Sequence, residues 1–529
     1  MELHGKNIIG GSESAEGRPV IAAVNPASGE TLAPDFYEAA PSEIDRAMTL
    51  AADAFSQRRK SDWERTSALL DRIADEIMAL GDSLISRAAA ETGLPEGRLS
   101  GERLRTVGQL RMFAGVVREG SWVEARIDPA LPDRKPAPRP DLRRMLIPIG
   151  PVVVFGASNF PLAFSVAGGD AASAFAAGNP VVVKAHPAHP GVSEMVARAI
   201  RAAVSATGLP DGTFSMLHGG PDVSLALVRH PLAEAVGFTG SLNAGRALFN
   251  AAAARDRPIP VFAEMGSVNP VFILPGALKA RGEAIAKGLA DSVTLGVGQF
   301  CTNPGVVVGI DNSVLQEVIR MAAEQLQKVP AGVMLHQRIC DAFAAGVDRL
   351  RTIEGVTIET TENAGPGARA ALFSTPSANF LSDPSLSQEL FGPSSLVVVC
   401  DSPAAMMAVA RGLEGQLTAT IHATPEDLEQ FAPLIEILTA RVGRLILNGF
   451  PTGVEVSPAM NHGGPYPAST DIRSTSVGTA AISRFARPIC YQGFPDAMLP
   501  PELQDANPRG IWRLVDGEWT KASVAENRA

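Results

Sequence analysis

Cys301 closes a glycine-rich run, Gly296-Val297-Gly298-Gln299-Phe300-Cys301, and opens the turn Thr302-Asn303-Pro304-Gly305. A carboxylate, Glu264, lies 37 residues upstream and is followed by Met265-Gly266-Ser267. Such a turn can present a thiol in a cleft, and a cleft thiol with a carboxylate able to act on water is equipped for acyl-thioester chemistry. Four cysteines in 529 residues make no disulfide framework. Cys340, Cys400 and Cys490 stand among Ile, Val and Pro, where a thiol serves as a small apolar side chain. A surface carboxylate fits poorly with the apolar Val261-Phe262-Ala263 that leads into Glu264.

Three further turns carry groups suited to a ligand. Gly156-Ala157-Ser158-Asn159-Phe160-Pro161 follows an apolar strand, and the amide of Asn159 could donate to an oxyanion or simply cap a helix. Lys184 ends the next strand, where it could meet a ribose or phosphate or remain solvated. Gly237-Phe238-Thr239-Gly240-Ser241 joins another strand to a helix, with a hydroxyl and backbone N–H groups suited to a pyrophosphate. No Gly-x-Gly-x-x-Gly fingerprint follows a suitable strand. His186 and His189 have a loose metal-ligand spacing, but no nearby Asp, Glu or Cys completes a set, so no metal is expected.

These residues need a scaffold of alternating strands and helices. Short apolar runs at Val152–Phe155, Val181–Lys184, Phe214–Leu217 and Ala235–Phe238 are separated by helical stretches, at 163–177 and 195–203 among others. Strands apolar throughout signal a parallel sheet covered on both faces. A second series runs through 271–273, 306–308, 396–399 and 445–447, so two α/β domains are expected with the change near 264–269. Ahead of them, Ile44, Ala47, Met48, Ala51, Ala52 and Phe55 form one helical stripe. Leu69, Leu70, Ile73, Ile77 and Leu80 form a second, and a third helix is expected over 101–117. Segment 127–140 reads as an exposed extended connection and the tail after Pro488 as a wrapping arm.

A chain of this length exceeds one core. The formal charge of -10 argues against a nucleic-acid partner. No stretch is long and apolar enough for a membrane span. Few cysteines and no basic start followed by an apolar run lead us to expect a cytoplasmic protein.

Taken in order, Asn159, Lys184, the Gly-Phe-Thr-Gly-Ser turn, Glu264, Cys301 and Glu389-Leu390-Phe391-Gly392-Pro393 resemble the aldehyde dehydrogenase superfamily over about residues 20–485. The resemblance implies an NAD(P)-binding domain (1–121 and 146–263), a catalytic domain (264–449), a small oligomerisation element (122–145 and 465–485) and a C-terminal wrapping tail (486–529). It implies Cys301 as nucleophile, Glu264 as general base, and Asn159 with the Cys301 backbone N–H as oxyanion hole. Lys184, Pro187, Gly240, Ser241, Gly266, Glu389 and Phe391 would line the cofactor site. A homodimer or homotetramer is the expected assembly.

Thr92-Gly93-Leu94-Pro95, Gly101-Glu102-Arg103-Leu104-Arg105, Lys184-Ala185-His186-Pro187 and Asn448-Gly449-Phe450-Pro451-Thr452-Gly453-Val454 resemble the branch of that superfamily acting on α-ketoglutaric semialdehyde (2,5-dioxovalerate), and a fatty-aldehyde branch shares several of them. Pro187 stands where many relatives carry a ribose-binding carboxylate that repels a 2′-phosphate; its presence permits NADP, with NAD also possible. By the same resemblance Phe160 and Arg105 line the substrate tunnel, where an arginine could clamp a carboxylate. The alternative for Arg105 is a solvated, arginine-rich helix face. Competing readings are a coenzyme A-acylating dehydrogenase or thioesterase, against which a water-activating Glu264 argues, and a binding protein that kept the fold without the chemistry.

Overall fold

Two seven-stranded sheets carry the two halves of the chain in a computed structural model that describes residues 2–57, 62–360 and 367–526. The first sheet runs Val261–Glu264, Ala235–Thr239, Val152–Phe155, Val181–Lys184, Phe214–Leu217, Asn7–Ile9 and Ser12–Ser14. Its first five strands are parallel and its last two antiparallel. The second runs Thr357–Ile358, Ala371–Pro376, Ser394–Cys400, Val306–Ile310, Val271–Ile273, Gln416–His422 and Val442–Leu447, parallel except at its first strand. Val152, Val153, Val154 and Phe155 are all buried, as strands covered by helices on both faces must be. The expectation of two parallel-sheet α/β units holds.

Register aligns the chemistry. Phe155 pairs with Lys184 and Phe238, and Thr239 pairs with Glu264. The Asn159 turn, Lys184, Gly240 and Glu264 therefore share the carboxyl edge of one sheet, where ligands of open α/β sheets bind. The Cys301 turn and Glu389 precede strands Val306–Ile310 and Ser394–Cys400, and so lie at the amino edge of the other sheet.

A third, five-stranded sheet joins Ala486–Gln492, Leu142–Pro148, Arg126–Asp128, Arg513–Val515 and Glu518–Thr520. It has its own small core of Ile127, Met145, Leu503, Ile511 and Val515. Ile127 is thus a buried strand residue rather than the start of an exposed connection, and the tail from Ala486 contributes three of the sheet's strands.

Among the helices, Pro41–Gln57 buries Ile44, Ala47, Met48 and Ala51, while Ala52 and Phe55 are half-buried. Trp63–Ala79 buries Leu69, Leu70, Ile73 and Ile77, and Leu80 caps its end. The third helix is longer than expected, Glu96–Glu119, and packs along the second. The helix expected over 163–177 shrinks to Gly169–Ala176. Residues 163–168 form turns instead, in which Gly169 N donates to Ala163 O (3.1 Å) and a Cβ on Gly168 would sit 2.6 Å from the same oxygen.

Candidate active site

Strain and glycine place the Cys301 turn. Gly296, Val297 and Gly298 all adopt positive φ (56°, 58° and 64°), and a Cβ on Gly298 would overlap the Gly392 carbonyl. The turn is then pinned from outside. Asn269 donates through Nδ2 to the carbonyls of Cys301 (2.8 Å) and Asn303 (2.9 Å). Gln299 accepts at Oε1 from Leu335 N (3.0 Å).

Cys301 Sγ lies 3.5 Å from His462 Nε2. The same nitrogen is 3.2 Å from Glu264 Oε2, with both side chains buried. That contact has the length of an ion pair, yet it is out of line for a hydrogen bond and leaves Oε2 without a donor among the described residues. Burial raises the Cys301 pKa well above the ordinary thiol value, helped by the charges of Glu264 and Glu389 and opposed by Arg105 and Arg444. The resting sulfur is therefore a neutral thiol, and its nearest proton acceptor is the imidazole.

Asn159 is 8% exposed and donates through Nδ2 to Gln299 O (3.1 Å), which leaves one amide N–H for a ligand. Arg98 donates to Asn159 O (2.7 Å), and its guanidinium lies 5.0 Å from the rings of both Phe160 and Phe300. His189 holds the turn from behind, with Nε2–H donating to Ala157 O (2.8 Å). Its pKa is lowered to about 4 by burial, so it stays neutral. His189 is thus a support for the Asn159 turn, and His186 stacks on it with ring centroids 5.4 Å apart.

The residues expected to meet the cofactor divide between the two sheets: Lys184, Ser241 and Gly266 end or follow strands of the first, and Glu389 and Phe391 precede a strand of the second. Lys184 is 7% exposed, and burial lowers its pKa to about 8. The hydroxyl of Ser241 accepts from Ala244 N (3.4 Å) at the head of helix Leu242–Ala253, while the buried Thr239 hydroxyl has no hydrogen-bond partner among the described residues. Gly266 lies under Glu389, whose Oε2 would collide with any Cβ there. Glu389 and Phe391 line a cleft with Ser267, Gly298 and Asn303. Protein surrounds the Glu389 carboxyl closely although solvent still reaches it, and desolvation with the Glu264 charge raises its pKa to about 7. Pro187 is exposed three residues beyond Lys184.

The Arg105 guanidinium stands 5.1 Å from the Phe164 ring, and Phe164 packs on Phe160 and His462. Arg444 donates to the carbonyls of Pro451 (2.8 Å) and Gly453 (3.2 Å). Gly453 N in turn donates to the hydroxyl of Thr302, next to the nucleophile (3.3 Å). Arg105 Nη1 and Arg444 Nε are buried without a hydrogen-bond acceptor among the described residues.

The aldehyde dehydrogenase family profile matches residues 12–469. The chain belongs to the aldehyde dehydrogenase family. It is an oxidoreductase that acts on aldehydes. It is 54% identical over 523 residues to α-ketoglutaric semialdehyde dehydrogenase 2 of Azospirillum brasilense, covering 98% of this chain and 100% of that protein. It is 46% identical over 524 residues to α-ketoglutaric semialdehyde dehydrogenase of Acinetobacter baylyi, covering 98% and 99%. The fold matches γ-glutamyl-γ-aminobutyraldehyde dehydrogenase of Burkholderia cenocepacia J2315 with a TM-score of 0.80 at 20% identity, covering 93% of this chain and 97% of that one.

Sequence reasoning about this dehydrogenase missed His462, Arg444, Arg98 and Asn269. His462 lies 161 residues beyond Cys301, in Asn461-His462-Gly463-Gly464, and only the fold brings it to the sulfur. The one local signal is a histidine directly before paired glycines, whose backbone is held by Thr475 and Ser476. No described helix is long and apolar enough to cross a membrane.

Proposed function

We propose that this dehydrogenase oxidises α-ketoglutaric semialdehyde to the corresponding dicarboxylate with a nicotinamide cofactor. The observation that carries the reading is the meeting of thiol, imidazole and carboxylate at 3.5 and 3.2 Å, near two half-buried arginines that each hold one buried nitrogen without an acceptor among the described residues. The two relatives of nearly equal length act, by their names, on that semialdehyde.

Cys301 adds to the aldehyde carbon as its thiol proton passes to His462 Nε2. The free N–H of Asn159 donates to the developing oxyanion, a contact that matters most in a dry site. A nicotinamide held by Lys184, Ser241, Glu389 and Phe391 would supply the hydride acceptor for the former aldehyde carbon. Glu264 then takes a proton from the water that attacks the thioester, and Cys301 leaves with a proton returned from His462. Arg105 and Arg444 would meet the charged end of the substrate. Among the described residues Arg105 Nη1 and Arg444 Nε lack acceptors, and a carboxylate is the natural partner of a guanidinium group.

The residues at the sheet edge fit the cofactor: a buried lysine, an unpaired Thr239 hydroxyl, and a cradle at Gly266 that a Cβ would fill. Lys184, Ser241, Glu389 and Phe391 would hold it. Pro187 offers no charge against a 2′-phosphate, so NADP is the preferred cofactor in this reading and NAD is also accepted. The chain is proposed to assemble as a homodimer or homotetramer. Strand Val442–Leu447 ends the second sheet with Leu445 and Leu447 exposed, an edge that a second copy would cover.

Purified protein assayed with 2,5-dioxovalerate, an uncharged aldehyde of equal length and a long fatty aldehyde, each with NADP and NAD, tests the reading. Fastest turnover on 2,5-dioxovalerate with NADP supports it. A preference for the long uncharged aldehyde overturns the substrate, and a preference for NAD overturns the cofactor.

A further inference from the structure

The three groups at the nucleophile also form a ligand set. Cys301 Sγ, His462 Nε2 and a Glu264 carboxylate oxygen all lie within 4.8 Å of one another. Sulfur, imidazole and carboxylate are the ligands that zinc takes in proteins. Bond lengths of about 2.3 Å to sulfur and about 2.1 Å to nitrogen and oxygen set the edges of a tetrahedral site at about 3.6 Å (S···N) and about 3.4 Å (N···O). The observed edges are 3.5 and 3.2 Å. The third edge, between sulfur and carboxylate, is at most 4.8 Å and reaches the ideal length by a side-chain movement of at most about 1.2 Å.

Charge and solvation agree with geometry. Glu264 is 3% exposed, and its Oε2, though 3.2 Å from His462 Nε2, has no hydrogen-bond donor among the described residues. A thiolate and a carboxylate neutralise a divalent cation, which lowers the cost of burying it.

We propose that the free enzyme binds one zinc ion at Cys301, His462 and Glu264 and is reversibly inhibited by it. On binding, the Cys301 S–H bond breaks, a Zn–S bond forms and the proton passes to solvent, with no change of oxidation state. The bound ion holds the nucleophile and the water-activating carboxylate together, so neither aldehyde addition nor thioester hydrolysis can start. Two features mark the ion as an inhibitor rather than a resident cofactor. His462 Nδ1 has no second-shell acceptor among the described residues, and Arg105 and Arg444 act on the sulfur with opposing positive charge. The sequence expectation of no metal site considered only His186 and His189 and could not see a set spread over nearly 200 residues.

The test uses the full chain, freed of metal by chelator and titrated with zinc by calorimetry and with cobalt(II) by absorbance. The inference predicts one equivalent bound, a thiolate-to-cobalt charge-transfer band, loss of activity with zinc, and recovery with EDTA. Affinity should fall by at least about 10-fold in Cys301→Ser and in His462→Gln, and stay unchanged in Cys340→Ser and Cys490→Ser. In wild type, zinc should protect Cys301 from iodoacetamide in peptide maps, a readout independent of both turnover and variant folding. Absence of a bound equivalent, binding that survives both Cys301→Ser and His462→Gln, or alkylation of Cys301 at an unchanged rate would overturn it. None of these outcomes depends on which aldehyde is the substrate.

Discussion

Replacing His462 by Gln keeps a polar side chain in the pocket but removes its ability to take a proton. Cys301 needs that acceptor because burial and two carboxylates hold its thiol well above the ordinary value of 9.0. At about pH 7.5 a thiol of pKa about 9 is only about 3% ionised, and each further unit upward removes another factor of ten, about 1.4 kcal/mol. Transfer to an imidazole 3.5 Å away bypasses that cost during attack. Loss of such a base slows a step by about 100- to 10,000-fold. His462→Gln should therefore slow the first turnover by that range at about pH 7.5, while cofactor binding is kept. The variant should regain rate about tenfold per pH unit as hydroxide makes the thiolate. Stopped-flow absorbance of the reduced nicotinamide, with enzyme in excess over aldehyde, reads both quantities. A first turnover within about threefold of wild type, or a loss of equal size at every pH, would refute the role.

Asn159→Ala removes the proposed oxyanion donor and should slow the same first turnover by about 100-fold or more without the pH recovery of the histidine variant, as a pH series of bursts will show. Arg105→Ala and Arg444→Ala should each lower kcat/KM for 2,5-dioxovalerate by about 10-fold or more relative to an uncharged aldehyde of equal length, because each truncation removes one of the two guanidinium groups proposed to hold the substrate carboxylate. His189 is buried and neutral, with its pKa lowered from 6.5 to about 4. Its contribution to stability is therefore complete above about pH 6.5 and is lost as pH falls from there toward 4, by up to about 3 kcal/mol. Urea unfolding at about pH 7.5 and 5 should show less loss on acidification in His189→Gln than in wild type.

Much of this site was legible because its parts sit at strand ends. Runs such as Val152–Phe155 and Val181–Lys184 are apolar throughout, and parallel pairing fixes where each one stops. Asn159, Lys184 and Glu264 follow from those stops. What stayed hidden depends on contacts across the chain. His462 meets Cys301 across 161 residues, in a loop tied to the Glu264 strand by the Glu264–Ser469 bridge and by hydrogen bonds from Met265 N to Ala468 O and from Thr470 N to Ala263 O. Arg444 looks like an ordinary strand residue until the 451–453 turn folds back over it. The helix expected over 163–177 failed for a local reason, a glycine pair that trades its first two turns for tight loops. Ile127 failed for a distant one, since its buried face is supplied by residues nearly 400 positions later.

The central claim is that Cys301 carries the acyl group and Glu264 releases it. Glu264→Gln mixed with aldehyde and oxidised cofactor, quenched in acid and digested, allows the adduct to be located by peptide mass. One burst of reduced cofactor per active site is expected, with an acyl increment on the peptide containing Cys301. An unmodified Cys301 peptide after a full burst, or an increment on the peptide of Cys340, Cys400 or Cys490, would contradict it.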